Sequence, residues 1–162
     1  MKIKRTLLAV SLAAIALSLA FASVASAAGA PLPTVSGGVG FLNGNEESFA
    51  SFNATATGPA LPGEEHQPAR GLLTYTDETG LRFTVSIQHI HAHSATEVHF
   101  GGTIVGSSDP SLIGNFAHGV AIDGGSSGKK GDQFSILVTE TDVLAHATPG
   151  PVTYGNLTVK TS

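Results

Sequence analysis

Hydrophobic and polar side chains alternate along most of the chain. The clearest example is LRFTVSIQ, in which Leu81, Phe83, Val85 and Ile87 alternate with Arg82, Thr84, Ser86 and Gln88. A period of two predicts a β-strand with one buried and one solvated face. Similar segments are SFASFNATAT, GLLTYTD, VHFGGTIV, NFAHGVAID, DQFSILVTE and VTYGNLTV, and VGFL at residues 39–42 is a possible further strand.

The segments between these strands are rich in residues that form turns. They are DETG, GSSDPSLIG, DGGSSGKKG and HATPGP. Gly, Pro, Asp and Ser supply the backbone conformations and local hydrogen bonds that turns require. Regularly punctuated strands are typical of a sandwich or a barrel, and half-polar faces favour antiparallel pairing. We therefore predict an all-β fold, an antiparallel β-sandwich of about seven or eight strands.

The N-terminal 27 residues differ from the rest. Lys2, Lys4 and Arg5 precede an apolar run that ends in Ala25-Ser26-Ala27. This order predicts a helical secretory signal peptide over residues 1–27. The proline- and glycine-rich residues 28–37 are then a flexible leader, and residues 38–162 form a single β-sandwich domain.

The composition after the predicted cleavage limits the class of protein. Five basic residues remain against twelve acidic ones, a formal charge of −7. This balance excludes nucleic acid as a partner, because phosphates require a basic surface. No later segment is apolar enough to span a membrane, so we predict a secreted or periplasmic protein. The chain contains no cysteine, so its stability comes from packing alone.

The segment QHIHAHSATEVHF, residues 88–100, contains four histidines. Extending the inward face of LRFTVSIQ places His89, His91 and His93 on one side of the strand. Clustered imidazoles are typical of zinc or copper ligands. His89 and His93 are about 13 Å apart on a straight strand at ~3.3 Å per residue, so a straight strand does not readily bring all three imidazoles to one ion, whereas a pair two residues apart can share one. Another ligand, His99, His118 or His66, would have to complete the site.

The register of the predicted hairpin decides whether His99 takes part. Matching the core faces places His91 opposite Phe100, and His99 then points to the other face. A shift by one residue brings His91 opposite His99, but it removes apolar side chains from the core unless a β-bulge intervenes. Two interpretations stay open: a zinc or copper site at His89, His91, His93 and His99, or imidazoles at the open end of the sandwich.

Several strand and turn motifs together resemble a known family. The motifs are the opening GGVGFLNGNEESFASFNATA, GLLTYTD, NFAHGVAID with its glycine-rich turn and GDQFSILV, and the closing YGNLTV. Their order is similar to that of the post-COAP domain, a small secreted bacterial module, over about residues 37–160. The resemblance implies a compact β-sandwich without established enzymatic activity. It implies no catalytic residue, and the histidine run departs from the family pattern.

The sequence therefore predicts a secreted, non-enzymatic β-sandwich module that acts in surface binding or structure. No serine nucleophile motif is present, and the acids of NEES and GEEH lie in predicted loops. The expected partner is an unknown protein or a surface glycan, no cofactor is required, and the oligomeric state is left open. The alternative is a periplasmic or extracellular metal-binding protein that uses Zn or Cu at the histidine-rich hairpin.

Overall fold

A computed structural model describes residues 31–125, 130–142 and 145–161. The predicted signal peptide and residues 28–30 of the predicted leader lie outside the described residues. The strands are β1 (Thr34–Asn43), β2 (Glu46–Ala56), β3 (Gln67–Asp77), β4 (Arg82–Ala92), β5 (Glu97–Ser107), β6 (Phe116–Ile122), β7 (Gln133–Thr139) and β8 (Gly150–Lys160). A short 3₁₀ helix, Pro110–Leu112, lies between β5 and β6.

The eight strands form one closed antiparallel barrel. Each strand pairs with its neighbour in sequence, and β8 pairs with β1 from Thr34↔Lys160 to Phe41↔Val152. The all-β class and the antiparallel pairing are confirmed, but the predicted sandwich is wrong. A period of two does not distinguish the two architectures, because side chains alternate between a core face and a solvent face in both. Closure also removes the open sheet edges expected of a sandwich.

The barrel interior is filled by the inward side chains of all eight strands. Phe134 lies at its centre, with ring centres 4.8 Å from Phe41 and 5.0 Å from Phe52. The hydroxyl groups of Tyr75 and Ser48 are 2.8 Å apart, which satisfies both buried groups. The inward face predicted for LRFTVSIQ is correct as far as Ile87, because Phe83, Val85 and Ile87 are all buried.

The position of β1 bears on two of the sequence predictions. β1 begins at Thr34, so the last residues of the predicted leader belong to the barrel. VGFL lies within β1 and supplies the eighth strand. Within the described residues, no helix has the length and apolar character needed to cross a membrane.

Candidate metal centre

A β-bulge near the end of β4 determines which way the histidines point. Ile87 pairs with Gly102 and His89 with Gly101, so Gln88 is an extra residue on β4. A bulge shifts the alternation of side chains by one position. Ile90 is therefore in the core, with 0% exposure. His89 and His91, on either side of Ile90, point to the outside of the barrel.

The predicted positions of the histidine run are corrected accordingly. His89, His91 and His93 do not continue the inward face, and His91 pairs with His99 rather than with Phe100. Val98 and Phe100 nevertheless remain buried. The bulge reconciles the two requirements, because its extra residue moves the imidazoles outward without moving the core side chains of β5.

His118 on β6 joins this outer surface. It alternates with Ala117 and Gly119, of which Ala117 belongs to the core cluster, so its ring also points outward. The connection between β7 and β8 covers it, because the Ser135 hydroxyl donates to the Ala147 carbonyl at 2.8 Å and Asp142 lies beside the His118 ring. His118 is therefore only 1% exposed although it is outside the barrel.

His89, His118 and Asp142, called the triad below, form the tightest group of possible ligands. One donor atom from each lies within 4.8 Å of the other two. His118 Nε2 is 3.6 Å from Asp142 Oδ1, too long for a hydrogen bond. Neither ring nitrogen of His118 has a hydrogen-bond partner among the described residues, although both are buried.

Gly101 provides the space in which the two imidazoles of the triad approach each other. It pairs with His89 on one side and with His118 on the other. A Cβ atom at this position would lie 2.6 Å from His89 Nε2 and 2.8 Å from His118 Nδ1. Only glycine therefore permits both rings to keep these positions above β5.

The surroundings of the triad favour the neutral form of its imidazoles, which is the form that binds metal ions. Burial lowers the pKa of His89, and the neighbouring His66 lowers it further. Burial also lowers the pKa of His118, while Asp142 opposes this change. A neutral imidazole keeps the lone pair that a metal ion requires.

The other histidines lie next to the triad on the same outer surface. The His66 ring is 5.2 Å from that of His89 and 5.3 Å from that of His91. The His99 ring is 4.4 Å from that of His146, and the His118 and His146 rings are 6.1 Å apart. All seven histidines of the chain thus form one connected cluster.

A cleft of about 570 Å³ opens beside the triad. It lies between the β2–β3 loop and the β7–β8 connection. Its lining residues are Gly63, Glu64, Glu65, His66, His89 and Asp142. The three carboxylates of this lining create a negative potential that attracts cations, so a metal ion in solution has an accessible route to the triad.

The predicted site residues divide between two parts of the cluster. His89 belongs to the triad, whereas His91, His93 and His99 lie together farther along the hairpin. His118 and His66, proposed as extra ligands, lie beside His89. Asp142 and His146 were missed, because they lie in an irregular connection and nothing in its composition indicates which wall of the barrel it covers.

No family model matched this chain, and comparison with curated proteins and with solved structures found no similar protein. The resemblance to the post-COAP domain stays a prediction.

Proposed function

We propose that this protein binds a divalent transition-metal ion, Zn²⁺ or Cu²⁺, through His89, His118 and Asp142. The observation that carries this proposal is the convergence of three donor atoms within 4.8 Å at the buried ring of His118, whose nitrogens have no hydrogen-bond partner in the part of the chain that the structure describes. Buried polar side chains normally have a partner, and a bound metal ion would provide one. Two imidazoles and a carboxylate are ligands that both ions accept.

The available ligand types favour divalent ions over Cu⁺. The chain has no cysteine and a single methionine, Met1, so the soft sulfur ligands that Cu⁺ selects are missing from the site. For nitrogen and oxygen ligands, Cu²⁺ binds more tightly than Zn²⁺. We therefore expect the affinity for Cu²⁺ to exceed that for Zn²⁺.

Three protein ligands leave one coordination position of a tetrahedral ion open. This position would be filled by water from the cleft beside His89 and Asp142. Metal binding on the outer wall requires no catalytic step, so it is compatible with the predicted non-enzymatic module. Secretion and binding of a protein or a surface glycan stay predictions.

The test is metal titration of protein purified without a histidine tag or a nickel column and then treated with EDTA. Isothermal titration calorimetry and elemental analysis should show a saturable high-affinity step for Zn²⁺ and for Cu²⁺. His118→Gln and Asp142→Asn should each weaken that step by more than the roughly 10- to 100-fold expected for the loss of an outer-shell partner.

Glu46→Gln is the matched control for Asp142→Asn. Glu46 is an exposed carboxylate in the β1–β2 hairpin and belongs neither to the triad nor to the lining of the cleft beside it, so this variant should bind metal like the parent protein. Equal affinities for the parent, His118→Gln and Asp142→Asn would refute the assignment of the triad.

A further inference from the structure

A second group of imidazoles lies beside the triad and is centred on His99. Its members are His91, His93, His99 and His146, called the hairpin group below. The ring centre of His99 is 4.4 Å from that of His146, 5.2 Å from that of His93 and 6.1 Å from that of His91. Cross-strand pairing of His91 with His99 and the β7–β8 connection bring these rings together.

Two of these spacings, those from His99 to His146 and to His93, match the spacing of imidazoles that share an ion. With a metal–nitrogen distance of about 2.0–2.1 Å, each ring centre lies about 3.2 Å from the metal, and a tetrahedral angle then separates two ring centres by about 5 Å. The distances from His99 to His146 and to His93, 4.4 and 5.2 Å, lie on either side of this value.

The hydrogen bonds of the group leave suitable donor atoms free. His99 Nε2 lies 2.8 Å from Glu97 Oε1, so the carboxylate favours the tautomer that carries its proton on Nε2 and leaves the lone pair on Nδ1. A carboxylate in this position is the usual outer-shell partner of a metal-binding histidine. His146 Nδ1 is buried without a hydrogen-bond partner among the described residues.

We infer that the hairpin group binds a second divalent transition-metal ion, through His99, His146 and either His91 or His93. This site goes beyond the triad and shares no ligand with it. Among the described residues, the triad is the group whose donor atoms already lie within 4.8 Å of one another. The hairpin group must rotate side chains to close around an ion, so its affinity should be the lower of the two.

The experiment compares stoichiometry and Cu²⁺ spectra in untagged, EDTA-treated protein. Calorimetry and elemental analysis should give two bound ions per chain in two separable steps. His146→Gln should remove the weaker binding step and leave the tighter one. Asp142→Asn should remove the tighter step and leave the weaker one. Nitrogen couplings in the electron paramagnetic resonance spectrum of Cu²⁺ should indicate two nitrogens at the first site and at least three at the second.

His146→Gln changes a residue of a surface connection, so we expect it to fold, which circular dichroism of the metal-free variant checks. His93→Gln provides a second variant outside the barrel core. Saturation at one ion that depends on Asp142 and not on His146 would overturn the second site and leave the triad intact. Two metal-binding steps that are both unchanged in His146→Gln would also overturn the second site. Loss of metal in His146→Gln but not in His118→Gln would support the hairpin group and refute the triad.

Discussion

Gly101 shows how one small side chain can determine a site built from large ones. It separates His89 on β4 from His118 on β6, and the two rings fill the space where its side chain would be. Glycine within a strand is usually unfavourable, because it has no side chain to pack and because it gives the unfolded chain more conformational freedom, which is lost on folding. At this position the missing side chain is what allows two imidazoles to approach one ion.

Gly101→Ala should therefore abolish tight metal binding without unfolding the barrel. The new Cβ would lie 2.6 Å from His89 Nε2, so at least one ring must move away. Gly106→Ala is the control, because nothing lies within 4 Å of a Cβ on Gly106 in the same strand. Zn²⁺ titration should show loss of the tight step in Gly101→Ala alone. Equal affinity in both variants would contradict the assigned role of Gly101.

The histidine cluster should make the metal-free protein sensitive to acid. Burial, followed by the nearby rings of His99 and His118, lowers the pKa of His146 from 6.5 to about 4. Between these pH values the unfolded chain binds a proton at this residue that the folded chain does not, so stability is lost as the pH falls from 6.5 towards 4. Burial lowers the pKa of His91 as well, which acts in the same direction.

Urea denaturation of EDTA-treated protein at a series of pH values measures this effect. The free energy of unfolding should be nearly constant above pH 7 and should decrease below about pH 6.5. His146→Gln should decrease less steeply over the same range. Identical pH profiles for the parent and the variant would contradict the lowered pKa of His146.

At the level of the secondary-structure elements, the bulge at Gln88 has two effects on β4. It keeps Ile90 in the core and turns His89 and His91 outward. Gln88 itself is exposed and accepts a hydrogen bond from the Thr103 hydroxyl at 3.2 Å. The outward accommodation of this extra residue as a bulge, and not the chemistry of its side chain, therefore determines which residues at the end of β4 point inward.

Deletion of Gln88 should remove the bulge and leave the side chains beyond it on the same faces. The pairing of His89 with Gly101 would be unchanged, so Ile90 would remain in the core and His89 on the outer surface. We expect this variant to fold and to bind Zn²⁺. Ile90→Ala removes a side chain with 0% exposure and should instead lower the free energy of unfolding by about 2–5 kcal/mol. Chemical denaturation of the two variants, with metal titration, provides the comparison, and a loss of stability on deletion of Gln88 as large as that of Ile90→Ala would contradict the assigned register.

The bulge also explains how far the sequence alone predicts the candidate site. Alternation identified β4 and its inward face up to Ile87, because each position there is either clearly apolar or clearly polar. Beyond Gln88 the residues are His, Ile, His and Ala, and a histidine suits a half-buried position on either face. A bulge allows His91 to pair with His99, but nothing in the sequence marks its position, and the matching of apolar side chains favours the regular register.

The missed ligands have a different cause. Asp142 and His146 reach the site through the fold of a connection whose described residues form no strand or helix. Its path depends on contacts with β6 and β7, such as the Ser135 hydrogen bond to Ala147. Such contacts join residues far apart on the strand walls and carry no periodic signal in the sequence. The sandwich prediction failed for a related reason, because closure of β8 onto β1 is a long-range pairing.

At the scale of the whole molecule, the pairing of β7 with β8, called the seam below, has the fewest paired residues of any two neighbouring strands in the barrel. These strands share only the pairs Gln133↔Pro151 and Phe134↔Gly150. Two carboxylates extend the seam: Asp132 accepts a hydrogen bond from Leu157 N, and Asp123 accepts one from Val159 N, both at 3.1 Å. The connection that carries Asp142 and His146 leaves the barrel at this seam.

A metal ion at the triad would fasten this connection to the barrel wall, because Asp142 belongs to the connection while His89 and His118 belong to β4 and β6. We expect Zn²⁺ at 100 times its dissociation constant to raise the free energy of unfolding by about 2.7 kcal/mol and to slow proteolysis within residues 140–149. Thermal unfolding and limited proteolysis, each with Zn²⁺ and with EDTA, measure the two effects.

Asp142→Asn should lose both the stabilisation and the protection from proteolysis, because the ion would no longer join the connection to the barrel wall. Glu46→Gln should retain both effects. Stabilisation of Asp142→Asn equal to that of the parent would mean that the ion binds elsewhere on the barrel.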